Sequence, residues 1–374
     1  MLRILEETAK TGHQVELITL SMDKTCRSIL PQNIKFFEIA PWLSKIKNHY
    51  LQILLEHLLV YRITKFIPKD IDLVVFHKSS SLPALYYFKK IMKKTIPTIY
   101  FSFEPPRFAY DLKNETLPKL GPLGLIILFF LPIIRYLDKK FAVASDEITT
   151  YSIFMKNWLE TIYKRPIRNI IPLGVDPEMF ENLKPNRVRE KYHLLSGEKI
   201  VLTANKLHHR KRIHLLIQAM VYVKEKIPNV KALILGTGPD ENKLKELTKK
   251  LHLEKTVIFC GHIGKEIPDY YASADVYAHP GKNEPFGLSV IEAQIAGVPV
   301  VSVREGEPLN TIIENNTGIF CNAEPEDMAD KILTILMDEK KRRDMGKKAR
   351  EHIKNNYTWE KTTQKFIDVC QKVR

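Results

Sequence analysis

Short apolar runs bounded by polar clusters alternate along the chain with stretches of helical spacing, the pattern of a parallel sheet with crossover helices. Residues 14–20, 72–77 and 98–102 read as strands of a first half. Residues 199–205, 231–236, 257–260, 275–278 and 298–302 repeat the style in a second half. Two Rossmann-like α/β halves follow from this alternation. We place them at 1–172 and 173–356, with a last helix over 357–374.

Two stretches of the first half are more apolar than a crossover helix needs. Residues 120–134, LGPLGLIILFFLPII, lie between Lys119 and Arg135 and contain Pro122 and Pro132. Fifteen residues fall short of the ~20 that cross a bilayer, so the segment reads as a helix either buried or interfacial. Residues 42–65 predict a leucine-rich helix flanked by aromatics and lysines, either an ordinary packing helix or one resting on a membrane.

Composition narrows the partners. The 374 residues suffice for two domains, and 27% charged with 44% hydrophobic residues describes a folded chain. Cys26, Cys260, Cys321 and Cys370 show no C-x-x-C spacing, which argues against a disulfide framework or a zinc site and fits a reducing cytosol. The net charge of +15 needs a counterpart. No zinc-finger, RNA-recognition or helix-turn-helix pattern accompanies it, so we expect no nucleic acid. Basic residues alternating with apolar stretches fit an anionic membrane surface or a lipid-phosphate acceptor.

The most specific chemistry lies in residues 283–302, NEPFGLSVIEAQIAGVPVVS, which read as loop, short helix and strand. Gly287 permits a tight turn, and Gly297 stands where a left-handed cap ends the helix. Glu284 then precedes the helix N-terminus and Glu292 lies within the helix. Backbone N–H groups at Phe286, Gly287 and Leu288, with the helix dipole behind them, suit a diphosphate. The carboxylates on either side suit hydroxyls, as on a sugar and a ribose. The plain alternative is a buried βαβ unit with two solvated glutamates.

Residues 261–320 resemble the donor half of glycosyltransferase family 4, retaining nucleotide-sugar enzymes of the GT-B fold, with two Rossmann-like domains facing across a cleft. The resemblance extends more weakly over the whole chain. It implies that Glu284 contacts the donor sugar, Glu292 binds ribose hydroxyls, and the backbone of Phe286, Gly287 and Leu288 meets the diphosphate. It further implies that Lys206 and Lys211, after the first strand of the second half, neutralise the diphosphate and the departing nucleotide. Arg210 and Arg212 would belong to a solvated basic loop. Gly236-Thr237-Gly238-Pro239 would be a turn near the donor, and base recognition would fall on the backbone of 262–265, which includes Gly264. On the acceptor side it leaves Glu104 and Arg107 as polar candidates. The donor would be a UDP- or GDP-sugar, with no further cofactor and no metal, because lysines and a helix end supply the positive charge.

The chain departs from that pattern in three places. Phe103 stands where a histidine is expected before Glu-Pro-Pro-Arg. Leu309 and Asn310 replace part of a Gly-Gly-Pro-x-Glu segment. Residues 2–13 resemble the family's first helix, followed by its second strand, so the first, central strand is expected upstream of Met1, the alternative being a rearranged first domain. His77 could face the cleft but reads as a satisfied core histidine. Asp70-Ile71-Asp72 spells a metal-binding signature of another fold and reads here as a strand-entry turn. The resulting expectation is hexosyl transfer to a hydroxyl of a lipid-linked glycan or glycolipid at the cytoplasmic face of a membrane. A soluble sugar or sugar-phosphate transferase and a degenerate sugar-binding protein are the alternatives.

Overall fold

The computed structural model describes residues 1–46 and 49–374. They form two compact units, Met1–Pro172 with Trp359–Arg374, and Leu173–Thr358. The last helix, Trp359–Val373, is thus part of the first unit, where it packs on the helix Leu2–Lys10. Thr362 Oγ1 donates to the Pro172 carbonyl at 2.8 Å.

In the first unit β1 (Glu16–Thr19) pairs in parallel with β2 (Lys35–Glu38). A separate parallel sheet runs β3 (Val74–His77), β4 (Thr98–Phe101), β5 (Glu147–Thr150) and β6 (Asn169–Ile170). One continuous sheet would join β1 to β3 through a central strand. Among the described residues β1 and β3 are instead edges of different sheets. Asp70-Ile71-Asp72 precedes β3 as a turn, and Asp72 pairs with Arg374 at 2.8 Å.

Of the apolar segment 120–134, Leu120 ends a 3₁₀ turn, Leu117–Leu120, Gly121 caps the next helix, and the rest falls in that helix, Pro122–Ala142, which continues eight residues further. Residues 42–65 form no single helix: a 3₁₀ turn Pro41–Lys45, a helix His49–Leu59 and a 3₁₀ turn Val60–Phe66 cover them. Residues 47 and 48 lie outside the described residues. Among those described, no helix is long and apolar enough to cross a membrane.

The second unit holds one parallel sheet in the order β12-β11-β10-β7-β8-β9. Its strands are β7 (Lys199–Ala204), β8 (Val230–Leu235), β9 (Val257–Gly261), β10 (Val276–His279), β11 (Val300–Val303) and β12 (Gly318–Cys321). β10, β11 and β12 are buried throughout, as expected of strands covered on both faces by helices. Leu216, Met220, Ile234, Val301 and Ile332 meet in the core between sheet and helices. Sequence-adjacent β7 and β8 pair on one side while β10 takes the other side of β7. The order therefore reverses at β7/β10, and the carboxyl ends of these strands are where such sheets bind ligands.

Candidate active site

Three loops after β7, β8 and β9 meet the helix Leu288–Ile295 around a cavity of about 420 Å³. Asn205, Lys206, Gly236, Thr237, His262, Ile263, Tyr271, Leu288, Ser289 and Glu292 line it. Two glycines allow the loops to close up. A Cβ on Gly236 would meet the Asn205 carbonyl O at 2.0 Å, and one on Gly238 the Leu207 carbonyl O at 2.2 Å. Leu207 N–H donates to the Thr237 carbonyl at 3.0 Å and so ties the first loop to the second.

Glu292 points into this cavity from within its helix. The Tyr271 hydroxyl, on the helix Ile267–Ser273, donates to Glu292 Oε2 at 2.7 Å. Burial raises the Glu292 carboxyl, and this hydrogen bond opposes the rise. The chain enters the Glu292 helix through Gly287, at φ +84. Val290 N–H donates to the Gly287 carbonyl at 2.8 Å, whereas the Leu288 and Ser289 N–H groups come too early in the helix to have a helical acceptor. The Phe286 side chain is buried against Tyr357, away from the cavity lining.

Glu284 lies in the loop before Gly287, outside the cavity lining, and Lys211 Nζ donates directly to Glu284 Oε2. The pair is poorly accessible, with side chains 14% and 27% exposed. Lys282 N–H donates to the Arg210 carbonyl at 2.9 Å, which joins the Glu284 loop to the 3₁₀ turn His209–Lys211. Glu307 N–H donates to the Glu284 carbonyl at 2.8 Å. A Cβ on Gly306 would lie 2.5 Å from Glu284 N and 2.6 Å from its carbonyl O, so this backbone contact requires glycine.

Burial works to raise the Glu284 carboxyl, but neighbouring charge and the Lys211 hydrogen bond hold it below the usual range. His279 lies 3.7 Å from Glu284 Oε2 and is fully buried. Burial lowers its imidazole to about 4, so at neutral pH Lys211 and Arg210 carry the charge that acts on Glu284. Neither ring nitrogen of His279 has a hydrogen-bond partner.

The structure thus brings Lys211 to Glu284, and Lys206 to the cavity with Glu292 and Leu288. Gly264 is one residue past the lining pair His262 and Ile263, in open space. The solvated reading of Arg210 and Arg212 is corrected. Arg212 pairs with Glu305 at 2.9 Å, and Arg210 Nε is buried without a hydrogen-bond partner. Asn205, Tyr271, His279 and Ser289 were not singled out by sequence reasoning, whereas Thr237 lies in the turn expected near the donor. Asn310 Nδ2 donates to Glu307 Oε2 at 3.2 Å.

In the first unit Arg107 pairs with Asp111 and lies 3.5 Å from Glu104, with its guanidinium over the Trp158 ring. Phe103 packs against His77, Phe101 and Tyr151. His77 is half-buried rather than a satisfied core residue, for its Nε2 is enclosed without a hydrogen-bond partner. Burial, the amino terminus and Lys78 lower its imidazole to about 3.

Comparison with known proteins matches residues 186–352, which hold this whole cavity, to the model of the family glycosyl transferases group 1. That match covers 167 of the 374 residues. The N-acetyl-alpha-D-glucosaminyl L-malate synthase of Bacillus anthracis is 26% identical over 225 residues, 59% of this chain and 58% of its own length. A GDP-mannose-dependent alpha-(1-6)-phosphatidylinositol monomannoside mannosyltransferase of Mycobacterium tuberculosis is 27% identical over 252 residues, 64% and 65% of the two chains. The chain thus spans about three fifths of these curated relatives. Among solved structures, Anabaena Alr3699/HepE in complex with UDP aligns with 99% of this chain and 96% of its own, at TM-score 0.75 and 16% identity. At that identity the likeness shows the fold, which is GT-B. The group 1 segment carries Lys206, Lys211, Glu284 and Glu292 together.

Proposed function

We propose that the chain is a retaining glycosyltransferase that moves a hexose from a UDP- or GDP-sugar to an acceptor hydroxyl without a metal. The acceptor in this reading is a lipid-linked glycan or glycolipid at an anionic membrane surface on the cytoplasmic side. The carrying observation is the arrangement around Leu288–Ile295: a carboxylate-lysine pair before the helix, a lined cavity beside it, and a second carboxylate within it. The names of the relatives, which include a phosphatidylinositol monomannoside mannosyltransferase, favour the lipid acceptor.

Each group has a task that its surroundings suit. Glu292, oriented by Tyr271, accepts from ribose hydroxyls. The first-turn N–H groups of Leu288–Ile295 and the Lys206 ammonium meet the diphosphate and stabilise the charge that grows on it as the glycosidic bond breaks. Glu284 stays ionised and accepts from sugar hydroxyls, with Lys211 shared between it and the leaving phosphate. No carboxylate here is assigned as nucleophile. Retention then follows from front-face attack, in which the leaving phosphate takes the acceptor proton.

The test is calorimetric titration of the full chain with UDP, GDP and ADP in the absence of magnesium. Saturable binding of one nucleotide, lost in Glu292→Ala, supports the donor assignment and names its base. A folded chain that binds none of them refutes it.

A further inference from the structure

A surface helix of a water-soluble unit turns its polar side outward. The helix Pro122–Ala142 does the reverse. Asp138 is buried and accepts from the Tyr110 hydroxyl at 2.7 Å, while Arg135 Nε donates inward to the Ala109 carbonyl at 2.7 Å. Leu131 is buried with Ala109 and Leu117. At Gly124 a Cβ would lie 1.9 Å from the Leu117 carbonyl O, so the helix has closed up on the preceding turn. These contacts fix its rotation. Its outward face is then apolar without interruption from Leu123 to Leu137, roughly 21 Å at 1.5 Å per residue. Phe129 is 79% exposed and Leu125 70%. A contiguous apolar face of this kind marks an interaction surface.

Charge decides what covers it. The first unit carries 29 Lys and Arg against 17 Asp and Glu, a net +12, whereas the second carries 29 against 26, a net +3. Exposed lysines flank the apolar face, Lys119 before the helix and Lys140 near its end. A second copy would bring two strongly positive units together. An anionic bilayer offers both an apolar interior and compensating charge. The helix is locked to its unit along the inner face, so it can lie on a bilayer but not span it.

We propose that Pro122–Ala142 is an in-plane membrane anchor. Leu125, Ile126, Phe129, Phe130, Ile133 and Tyr136 enter the acyl boundary of an anionic leaflet, with Lys119 and Lys140 at the phosphate level. This deepens the lipid-acceptor reading above by naming the surface that meets the membrane, and it is tested without donor or transfer, so either can fail alone.

The experiment is sedimentation of the full chain with vesicles of phosphatidylcholine, with and without phosphatidylglycerol. The chain should pellet with the anionic vesicles, less so in high salt. Ile126→Gln/Phe129→Gln/Ile133→Gln, all at exposed positions, should bind at least about tenfold more weakly with unchanged circular dichroism. A Phe129→Trp variant should show a blue-shifted emission on the anionic vesicles and quenching by brominated acyl chains. Undiminished pelleting of the triple variant overturns the proposal, as does a tryptophan at 129 that stays solvated on the vesicles. Light scattering that shows a dimer broken by the triple variant also overturns it, because a second copy then covers the face.

Discussion

Lys211→Met leaves the Glu284 carboxylate enclosed beside a neutral His279, with Arg210 as its remaining positive neighbour. Breaking a fully buried ion pair from one side costs about 3–5 kcal/mol. Lys211 is 27% exposed, and solvent screening brings the expectation to ~2–3 kcal/mol. For the 186 residues of Leu173–Thr358 that corresponds to a fall in Tm of roughly 4–12 °C. The pH dependence carries the sharper test. In the native chain the Glu284 carboxyl is held low, so its contribution is present above the unfolded carboxylate pKa and lost as pH falls through the folded one. Without Lys211, burial dominates and the carboxyl rises. The variant's deficit should then be largest near pH 8 and shrink toward pH 5, as protonation removes the buried charge. Scanning calorimetry at the two pH values, with Glu284→Gln and the double variant completing a cycle, reads both quantities. A Tm loss below about 2 °C that is equal at both pH values would refute the argument from burial and pairing.

Tyr271→Phe removes the hydroxyl that orients Glu292, and we expect nucleotide diphosphate binding to weaken about three- to tenfold with the fold intact, read by calorimetry. Gly306→Ala forces a Cβ onto the Glu284 backbone at φ +76 and should lower both Tm and transfer, whereas Gly264→Ala enters open space and should leave Tm unchanged. His279, lowered to about 4 by burial, resists protons that the unfolded chain binds below about pH 6.5. Stability should therefore fall as pH drops between those values, and His279→Phe should flatten that slope in calorimetric scans.

The helix around Glu292 and its flanking strand were legible because their signals are local. Gly287 and Gly297 take the positive φ that their places in the pattern require, and Val300–Val303 is a β-branched run. Weak local signals account for three of the four strands that went unread, the fourth being the β-branched β5, Glu147–Thr150, whose Glu-Ile-Thr-Thr run is no weak signal. β2 is four residues of lysine, two phenylalanines and glutamate; β6 is two residues long; β12 follows a turn-rich Asn-Asn-Thr-Gly. In the basic run Arg210-Lys211-Arg212, spacing alone does not decide which side chain faces inward. The 3₁₀ turn His209–Lys211 and Arg212 at φ +46 decide it, aiming Lys211 at Glu284 and Arg212 at Glu305. Tyr271 reads as an ordinary helix residue in sequence. Tertiary packing brings it against a carboxylate 21 positions later.

The segment 120–134 shows where hydrophobicity stops being informative. Its apolar residues occupy every face of a helix over the first three turns, so neither their number nor their spacing separates a core helix from an interfacial one. The discriminating residues lie past the apolar run, at Arg135 and Asp138. Polar side chains on the outward face would have been solvated, with the apolar face turned inward. Here both are used inside, on the Ala109 carbonyl and the Tyr110 hydroxyl. An enclosed carboxyl costs free energy, and burial indeed raises Asp138 to about 6. That cost is sustained while the opposite face is left to water in the isolated chain, an arrangement that becomes favourable once an apolar phase covers Phe129 and its neighbours.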